Sequence, residues 1–227
     1  MPVIEFTVDN KAIETVAERY RSEGYQVVVR PNGSELPSFA AGLHLDLLAT
    51  KGDERVLVEV KENREDLQND PESVRMAEAI NAQPGWRFDL YVLNAASPAD
   101  KLARTAAEPS VDAILGNLDY VEKSARAGDH ASSFVIAWAA LEAAMRRAAR
   151  AAGIQLQSVS PIFLLRTLYF NGLLEKSEFD RLNDSLRIRN VVVHGLEAPA
   201  LDAAVPLYIA SAARKLLAES AQETMVK

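Results

Sequence analysis

The sequence contains no cysteine and only three histidines among its 227 residues. The absence of cysteine excludes a disulfide framework, a thiol nucleophile and a cysteine-ligated zinc site. No apolar run approaches the roughly 20 residues that cross a bilayer. The N-terminal segment also lacks the basic and apolar regions of a secretory signal. These absences predict a soluble, cytoplasmic protein with no membrane partner.

Aromatic residues make up only 7% of the chain, and glycine and proline number 10 each. The chain is therefore neither collagen-like nor of low complexity. Its length fits one large domain or two small ones, at roughly 100–200 residues per domain. Either arrangement buries enough surface to be stable without a structural metal.

Charge is distributed unevenly along the chain, whose formal net charge is -7. Residues 1–100 carry 10 basic and 18 acidic side chains, whereas residues 101–227 carry 15 basic and 14 acidic ones. An acidic surface repels a polyanion, so we expect the N-terminal half to hold nucleic acid only through a local site.

The first half mixes helix and strand periodicities. Apolar residues spaced as on one helix face predict a helix from Asp9, its N-cap, to about Ser22, and a second helix over 71–83. Valine-rich or alternating segments predict strands over 25–30, 43–50, 55–62 and 86–94. The order helix, three strands, helix, strand predicts an α/β domain with helices covering the sheet.

The second half is rich in alanine, leucine and arginine, which favour helices. Glycine-containing breaks separate the predicted helices, which span 108–127, 130–152, 159–171, 175–194 and 201–222. We therefore predict an α+β protein overall, with an α/β domain over 1–96, a linker over 97–110 and an all-α bundle over 111–227.

A hairpin in the first half brings acidic residues together. If Gly52 and Asp53 form its two-residue turn, Asp46 lies opposite Glu59, and His44 lies opposite Lys61. Alternation then puts Asp46, Glu59 and Lys61 on one face of the sheet and the valines between them on the other.

Two opposed carboxylates repel each other unless they are solvated or share a cation. Oxygen ligands of this type suit Mg²⁺ or Mn²⁺, and Lys61 beside them could position water or stabilise phosphate charge. The alternative is a solvent-facing ladder of mixed charges, and the residues alone leave both interpretations open.

This arrangement resembles the PD-(D/E)xK nuclease superfamily over residues 5–95, through Asp46 and Glu59-Val60-Lys61. Leu45 stands where the family name has proline. The resemblance implies a restriction-endonuclease-like fold in which Asp46 and Glu59 hold Mg²⁺ or Mn²⁺ and Lys61 assists the water. It also implies a further acidic residue on the first helix, a part that Glu14 or Glu18 would take.

The second motif is Arg189-Asn190-Val191-Val192-Val193-His194, near the end of a predicted helix. Gly195 follows and suits the left-handed C′ position, and Asn190 and His194 share a face. Arg189 and His194 lie about 140° apart on a regular helix, so they do not converge. Arg and His can cleave RNA without metal by acid–base catalysis and phosphate binding. The alternative is a capping histidine and a salt-bridged arginine.

Residues 101–222 resemble a HEPN domain (higher eukaryotes and prokaryotes nucleotide-binding) through RNVVVHG and SSFVIAWAALEAAMRRAA, residues 132–149. The resemblance implies a homodimer through the helical domain that brings two Arg-x4-6-His motifs into one cleft. It implies catalytic roles for Arg189, Asn190 and His194, with no cofactor.

The two resemblances together imply a nuclease of a prokaryotic toxin or phage-defence system that cleaves RNA without metal at a dimeric helical site, with an antitoxin or defence-system protein as a further partner. They also imply that the N-terminal domain is either a metal-dependent nuclease or a degenerate one that recognises nucleic acid. One alternative is a Mg²⁺-dependent DNA endonuclease whose helical domain only dimerises. Another is a non-catalytic protein that binds nucleic acid or a nucleotide.

Overall fold

The computed structural model describes residues 8–32, 34–43, 45–63, 70–94, 106–198 and 201–226. The chain divides into two compact units. One comprises Met1–Ala95 with Phe170–Gly172, and the other comprises Ala96–Tyr169 and Leu173–Lys227. Most of the predicted linker, residues 97–105, lies outside the described residues.

The N-terminal unit has the predicted order of helix, three strands, helix and strand. Asp9 accepts a hydrogen bond from the amide of Lys11 and caps the first helix, as expected. The elements are α1 (Asn10–Ser22), β1 (Gln26–Val29), a 3₁₀ turn (Ser38–Ala40), β2 (Leu47–Lys51), β3 (Glu54–Asn63), α2 (Pro71–Asn81) and β4 (Trp86–Asn94).

The four strands form one sheet in the order β1-β2-β3-β4. The first three are antiparallel, and β4 runs parallel to β3. A parallel pair needs a crossover connection, which α2 supplies. The β2–β3 hairpin has the predicted register, with Lys51 opposite Glu54 and Leu47 opposite Val58.

Helix α1 covers one face of the sheet. Its apolar stripe packs on the inward residues of β2 and β3, and the hydroxyl of Tyr20 donates a hydrogen bond to Asp89 of β4. Alternation sends the intervening residues of β3, among them Glu59, to the other face, where α2 lies. The buried cluster under α1 comprises Ile13, Val16, Ala17, Tyr20, Leu47, Ala49, Val56, Val58 and Val60.

Truncating Ile13 should test this layer directly. Ile13 is fully buried in the cluster under α1, so Ile13→Ala is expected to destabilise the protein by about 2–5 kcal/mol through lost burial and a residual cavity. Urea unfolding followed by circular dichroism measures the change. Lys11→Ala, at an exposed position of the same helix, should change stability by less than about 0.5 kcal/mol. Equal effects of the two variants would contradict the packing.

Among its described residues, the second unit consists of helices joined by loops and contains no strand. Five helices correspond to the five predicted ones within a few residues: α3 (Val111–Arg126), α4 (His130–Ala151), α5 (Pro161–Phe170), α6 (Lys176–Val193) and α7 (Ala204–Val226). Helix α4 is the central element and packs on α3, α6 and α7. Its alanines allow close approach around the buried Trp138 and Leu141.

The architecture is therefore α+β, with a sheet in the N-terminal unit and helices in the C-terminal one. Within the described residues, none of the helices combines the length and apolar character needed to cross a membrane.

Candidate active site

Strand β3 presents Glu59 and Lys61 on the sheet face opposite Val58 and Val60. The Lys61 ammonium lies 2.6 Å from Oε1 of Glu59. Glu59 is only 8% exposed, so the pair is largely withdrawn from solvent. The predicted alternative of a solvent-facing charge ladder does not describe Glu59.

Asp46 reaches this pair by a different route from the one predicted. The predicted strand over 43–50 begins only at Leu47, so the ladder ends before Asp46 can pair with Glu59. The amide of Asp46 instead donates to the carbonyl of Val58 at 2.9 Å. Leu45 is buried although it precedes the strand, and His44 lies outside the described residues.

The carboxylate of Asp46 is anchored to the backbone of β3. Its Oδ2 accepts a hydrogen bond from the amide of Val60 at 2.7 Å. Val60 stands between Glu59 and Lys61 along β3, so Asp46 is anchored to the stretch of backbone that carries both, and the Lys61 charge reaches its carboxylate. The carbonyl of Asp46 accepts from the amide of Arg30 at 2.7 Å, and Arg30 adopts a left-handed φ of 50°. That conformation is uncommon for a residue other than glycine.

Asp70 completes the cluster, and sequence reasoning missed it. It is the N-cap of α2, and its Oδ2 lies 3.4 Å from the Lys61 ammonium. An aspartate directly before a proline and a helical pattern is a capping signal. That signal shows where α2 begins, but only the crossover from β3 to α2 shows that the cap lies beside Lys61.

Burial controls the electrostatics of the cluster. It raises the pKa of Asp46 and the pKa of Glu59, although nearby positive charge opposes both shifts. Burial alone would lower the pKa of Lys61, but the carboxylates of Glu59 and Asp70 outweigh it and raise that pKa. The carboxylates of Asp46 and Glu59 therefore carry negative charge at a cost that a further cation would relieve.

The residues fit a divalent cation. Oε2 of Glu59 is buried and meets no hydrogen-bond donor with good geometry among the described residues, which is unusual for a carboxylate oxygen, although the Ser73 hydroxyl lies near enough to Glu59 to lower its pKa. Carboxylates suit Mg²⁺ or Mn²⁺, and Mg²⁺ commonly takes one or two of them and keeps several waters. Within the described part of the chain, no group of three or more His, Cys, Asp or Glu side chains is placed to hold a metal. Asp46 and Glu59 would thus be the protein's ligands.

Glu14 and Glu18 are not brought to this cluster. Both lie on the exposed side of α1, and both pair with Arg21, with N–O distances of 2.5 Å for Glu14 and 2.6 Å for Glu18. Helix α1 packs on the sheet face opposite Glu59. The resemblance implied a metal-site role for one of them, and in the structure both carboxylates pair with Arg21 instead.

The helical motif lies at the end of α6. His194 is the C-cap, and Gly195 takes the left-handed conformation with φ of 74°. The amide of Gly195 donates to the carbonyl of Val192 at 3.0 Å, and that of Leu196 donates to Val191 at 3.2 Å. These two bonds form a Schellman motif. The left-handed glycine predicted at C′ is confirmed, and His194 is exposed.

Arg189 and Asn190 are oriented within the helical unit. A guanidinium nitrogen of Arg189 lies 3.8 Å from Oε1 of Glu142 in α4, and another donates to Oδ1 of Asn190 at 3.4 Å. Burial raises the pKa of Glu142, and the charges of Arg189 and Arg146 oppose this shift. Within one chain, therefore, Arg189 pairs with Glu142, and no bond to the His194 imidazole is among the described contacts.

Comparison with known proteins gives one match to a family model. The REase_AHJR-like model matches residues 1–122, which is more than half of the chain. The matched region contains the whole sheet and the Asp46, Glu59 and Lys61 cluster, and it extends into α3. No curated protein and no solved structure matches the chain. The match supports the restriction-endonuclease-like N-terminal domain that the sequence predicted.

Proposed function

Because the chain belongs to the REase_AHJR-like family, which implies nuclease activity and nucleic-acid binding, we propose that its N-terminal unit is a Mg²⁺-dependent DNA endonuclease. The observation that carries the proposal is the convergence of three groups on one point of β3. Asp46 binds the amide of Val60, and Glu59 and Lys61 flank that residue. Oε2 of Glu59 is buried and is the oxygen that would bind the cation.

Each residue has a distinct task in this proposal. Asp46 and Glu59 hold the cation, which when bound supplies Lewis acidity at a phosphate and makes bound water more acidic. The Lys61 ammonium donates hydrogen bonds to the charge that develops on the attacked phosphate. Burial of the cluster strengthens these interactions because it lowers the local dielectric.

The deciding experiment offers two polymers to the purified protein under two conditions. Supercoiled plasmid and a labelled structured RNA are each incubated in Mg²⁺ and in excess EDTA. Cleavage of the plasmid in Mg²⁺ alone is the result expected from the N-terminal site. Absence of cleavage of either polymer in either condition would contradict the proposal and favour the non-catalytic alternative, a protein that binds nucleic acid or a nucleotide.

A second candidate function is metal-free RNA cleavage by the helical unit. It is favoured by the exposure of His194 at the C-cap of α6. Arg189 lies on the preceding turn. One chain does not bring the two side chains together, so this function includes a homodimer that pairs two motifs. Cleavage of RNA in EDTA would support it, and a role in a toxin or phage-defence system belongs to this same proposal.

Replacing Asp46 should separate metal binding from folding. Because the pKa of Asp46 is raised in the folded protein, ionising its carboxyl group lowers the free energy of unfolding. This loss of stability grows as the pH rises through the raised pKa. Asp46→Asn removes the charge and keeps an oxygen for the amide of Val60. In EDTA at neutral pH, the variant should therefore melt at or above the wild-type temperature, and the difference should shrink on acidification.

The same melts repeated in Mg²⁺ complete the test. Wild type should gain about 2.7 kcal/mol at a Mg²⁺ concentration 100 times its dissociation constant, and Asp46→Asn should gain much less. Differential scanning calorimetry measures the melting of both proteins in EDTA and in Mg²⁺. An equal gain for the two proteins would place the metal away from Asp46.

A further inference from the structure

Lys61 lies between two carboxylates on different elements. Its ammonium is 2.6 Å from Oε1 of Glu59 on β3 and 3.4 Å from Oδ2 of Asp70 at the start of α2. The side chain of Asp70 is only 8% exposed and that of Lys61 is 24% exposed. Glu59 makes the closer contact, and the nuclease proposal assigns that same carboxylate to the metal.

Asp70 divides its two oxygens between two tasks. Oδ1 accepts hydrogen bonds from the amides of Glu72 and Ser73, both at 3.2 Å, and so caps α2. Oδ2 accepts from the hydroxyl of Ser73 and faces the Lys61 ammonium. The cap fixes the carboxylate rigidly, because its backbone bonds and the Ser73 hydroxyl restrict rotation.

A divalent cation would change the balance around Lys61. Once Glu59 binds the cation, its negative charge is neutralised, and the Lys61 ammonium loses its closest ion-pair partner. The positive charge of the cation also repels the ammonium. Of the two carboxylates that pair with the ammonium among the described residues, Asp70 is then the one that still holds it beside the site. We propose that Asp70 is a positioning residue for Lys61, which keeps the lysine aimed at the site when the metal is bound. This role rests on the proposed endonuclease function.

Two substitutions separate positioning from capping. Asn and Asp are comparable N-caps, so Asp70→Asn should keep the cap and lose the charge that holds Lys61. Glu is not a preferred N-cap, so Asp70→Glu should keep the charge and weaken the cap. Asp9→Asn is the matched control, because Asp9 caps α1 in the same unit and has no part in the cluster.

Kinetics on plasmid DNA at saturating Mg²⁺ give the first readout. Asp70→Asn should lower kcat by about 10-fold to 100-fold through misplacement of Lys61, with KM for DNA and melting temperature close to wild type. Asp70→Glu should recover part of kcat despite a lower melting temperature, and Asp9→Asn should match wild type. A wild-type kcat for Asp70→Asn, or losses of kcat that follow melting temperature in all three variants, would overturn the proposal.

The ammonium signal of Lys61 gives a readout that does not depend on activity. In protein labelled with ¹⁵N-lysine, Lys61→Met identifies the signal, and MgCl₂ is then titrated into wild type and Asp70→Asn. The signal should shift and persist in wild type, and it should broaden or vanish in Asp70→Asn once Mg²⁺ binds. Equal persistence in both proteins would overturn the role of Asp70. Failure of Mg²⁺ to shift the wild-type signal would overturn the metal site itself, and the two failures are thereby distinguishable.

Discussion

Replacing Glu59 by glutamine is expected to reduce Mg²⁺-dependent DNA cleavage by about 10³-fold or more, because the change removes one of two metal-binding carboxylates and the closest partner of Lys61. Glutamine preserves the shape of the side chain, so the sheet should be retained. Burial raises the pKa of Glu59, so neutralising it should not lower the stability of the metal-free protein at neutral pH. Initial rates of plasmid nicking at saturating Mg²⁺ measure the effect.

The matched control is Glu62→Gln on the same strand. Glu62 is exposed, whereas Glu59 is buried, and the alternation of β3 puts Glu62 on the other face of the sheet. Its substitution should leave the rate within about twofold, which corresponds to less than about 0.5 kcal/mol. If Glu59→Gln retained a rate within tenfold of wild type while Mg²⁺ was still required, the metal would have to be held by other residues.

The β2–β3 hairpin shows which parts of this site can be predicted from the sequence. Strand periodicity and a two-residue turn determine register, and the predicted pairing of Lys51 with Glu54 is the observed one. The same alternation correctly separated Glu59 and Lys61 from the valines of the core. Period-two patterns are reliable here because one face of β3 is buried under α1, and a slip of one residue would bury charge instead.

The irregular part of the site, which Asp46 and Asp70 form, could not be predicted from period-two patterns. Asp46 was expected inside a strand over 43–50 and opposite Glu59, yet β2 begins only at Leu47 and the carboxylate of Asp46 accepts a hydrogen bond from the amide of Val60. An aspartate that bonds to backbone in place of a ladder partner competes with regular structure, and side-chain spacing alone does not reveal it. The contact of Asp70 with Lys61 could not be predicted for a related reason. It depends on where the crossover from β3 places the start of α2.

The Arg189–His194 motif shows what cannot be predicted from one copy of the chain. The sequence predicts that Arg189 and His194 point about 140° apart on a regular helix, and α6 is helical up to Val193 with His194 as its cap. Arg189 accordingly pairs with Glu142 of α4. Sequence spacing thus described the helix correctly, while the dimer that would unite two motifs stays a prediction.

Replacing His194 by alanine is expected to abolish any RNA cleavage that survives EDTA. The loss should be about 10²-fold to 10⁴-fold, the usual contribution of a general acid or base. The helical fold should be unaffected, because His194 is exposed and the Schellman bonds are made by the backbone of Gly195 and Leu196. Cleavage of a labelled structured RNA in excess EDTA, with circular dichroism of both proteins, measures activity and fold together.

His130→Ala is the matched control for this experiment. His130 is another histidine of the helical unit, but it is the first residue of α4 and lies outside the motif. Loss in His194→Ala with retention in His130→Ala would assign a metal-free ribonuclease activity to the end of α6. Equal rates for both variants and wild type would remove His194 from the chemistry. The exposed histidine would then be only a helix cap, and the nuclease function would rest on Asp46, Glu59 and Lys61 alone.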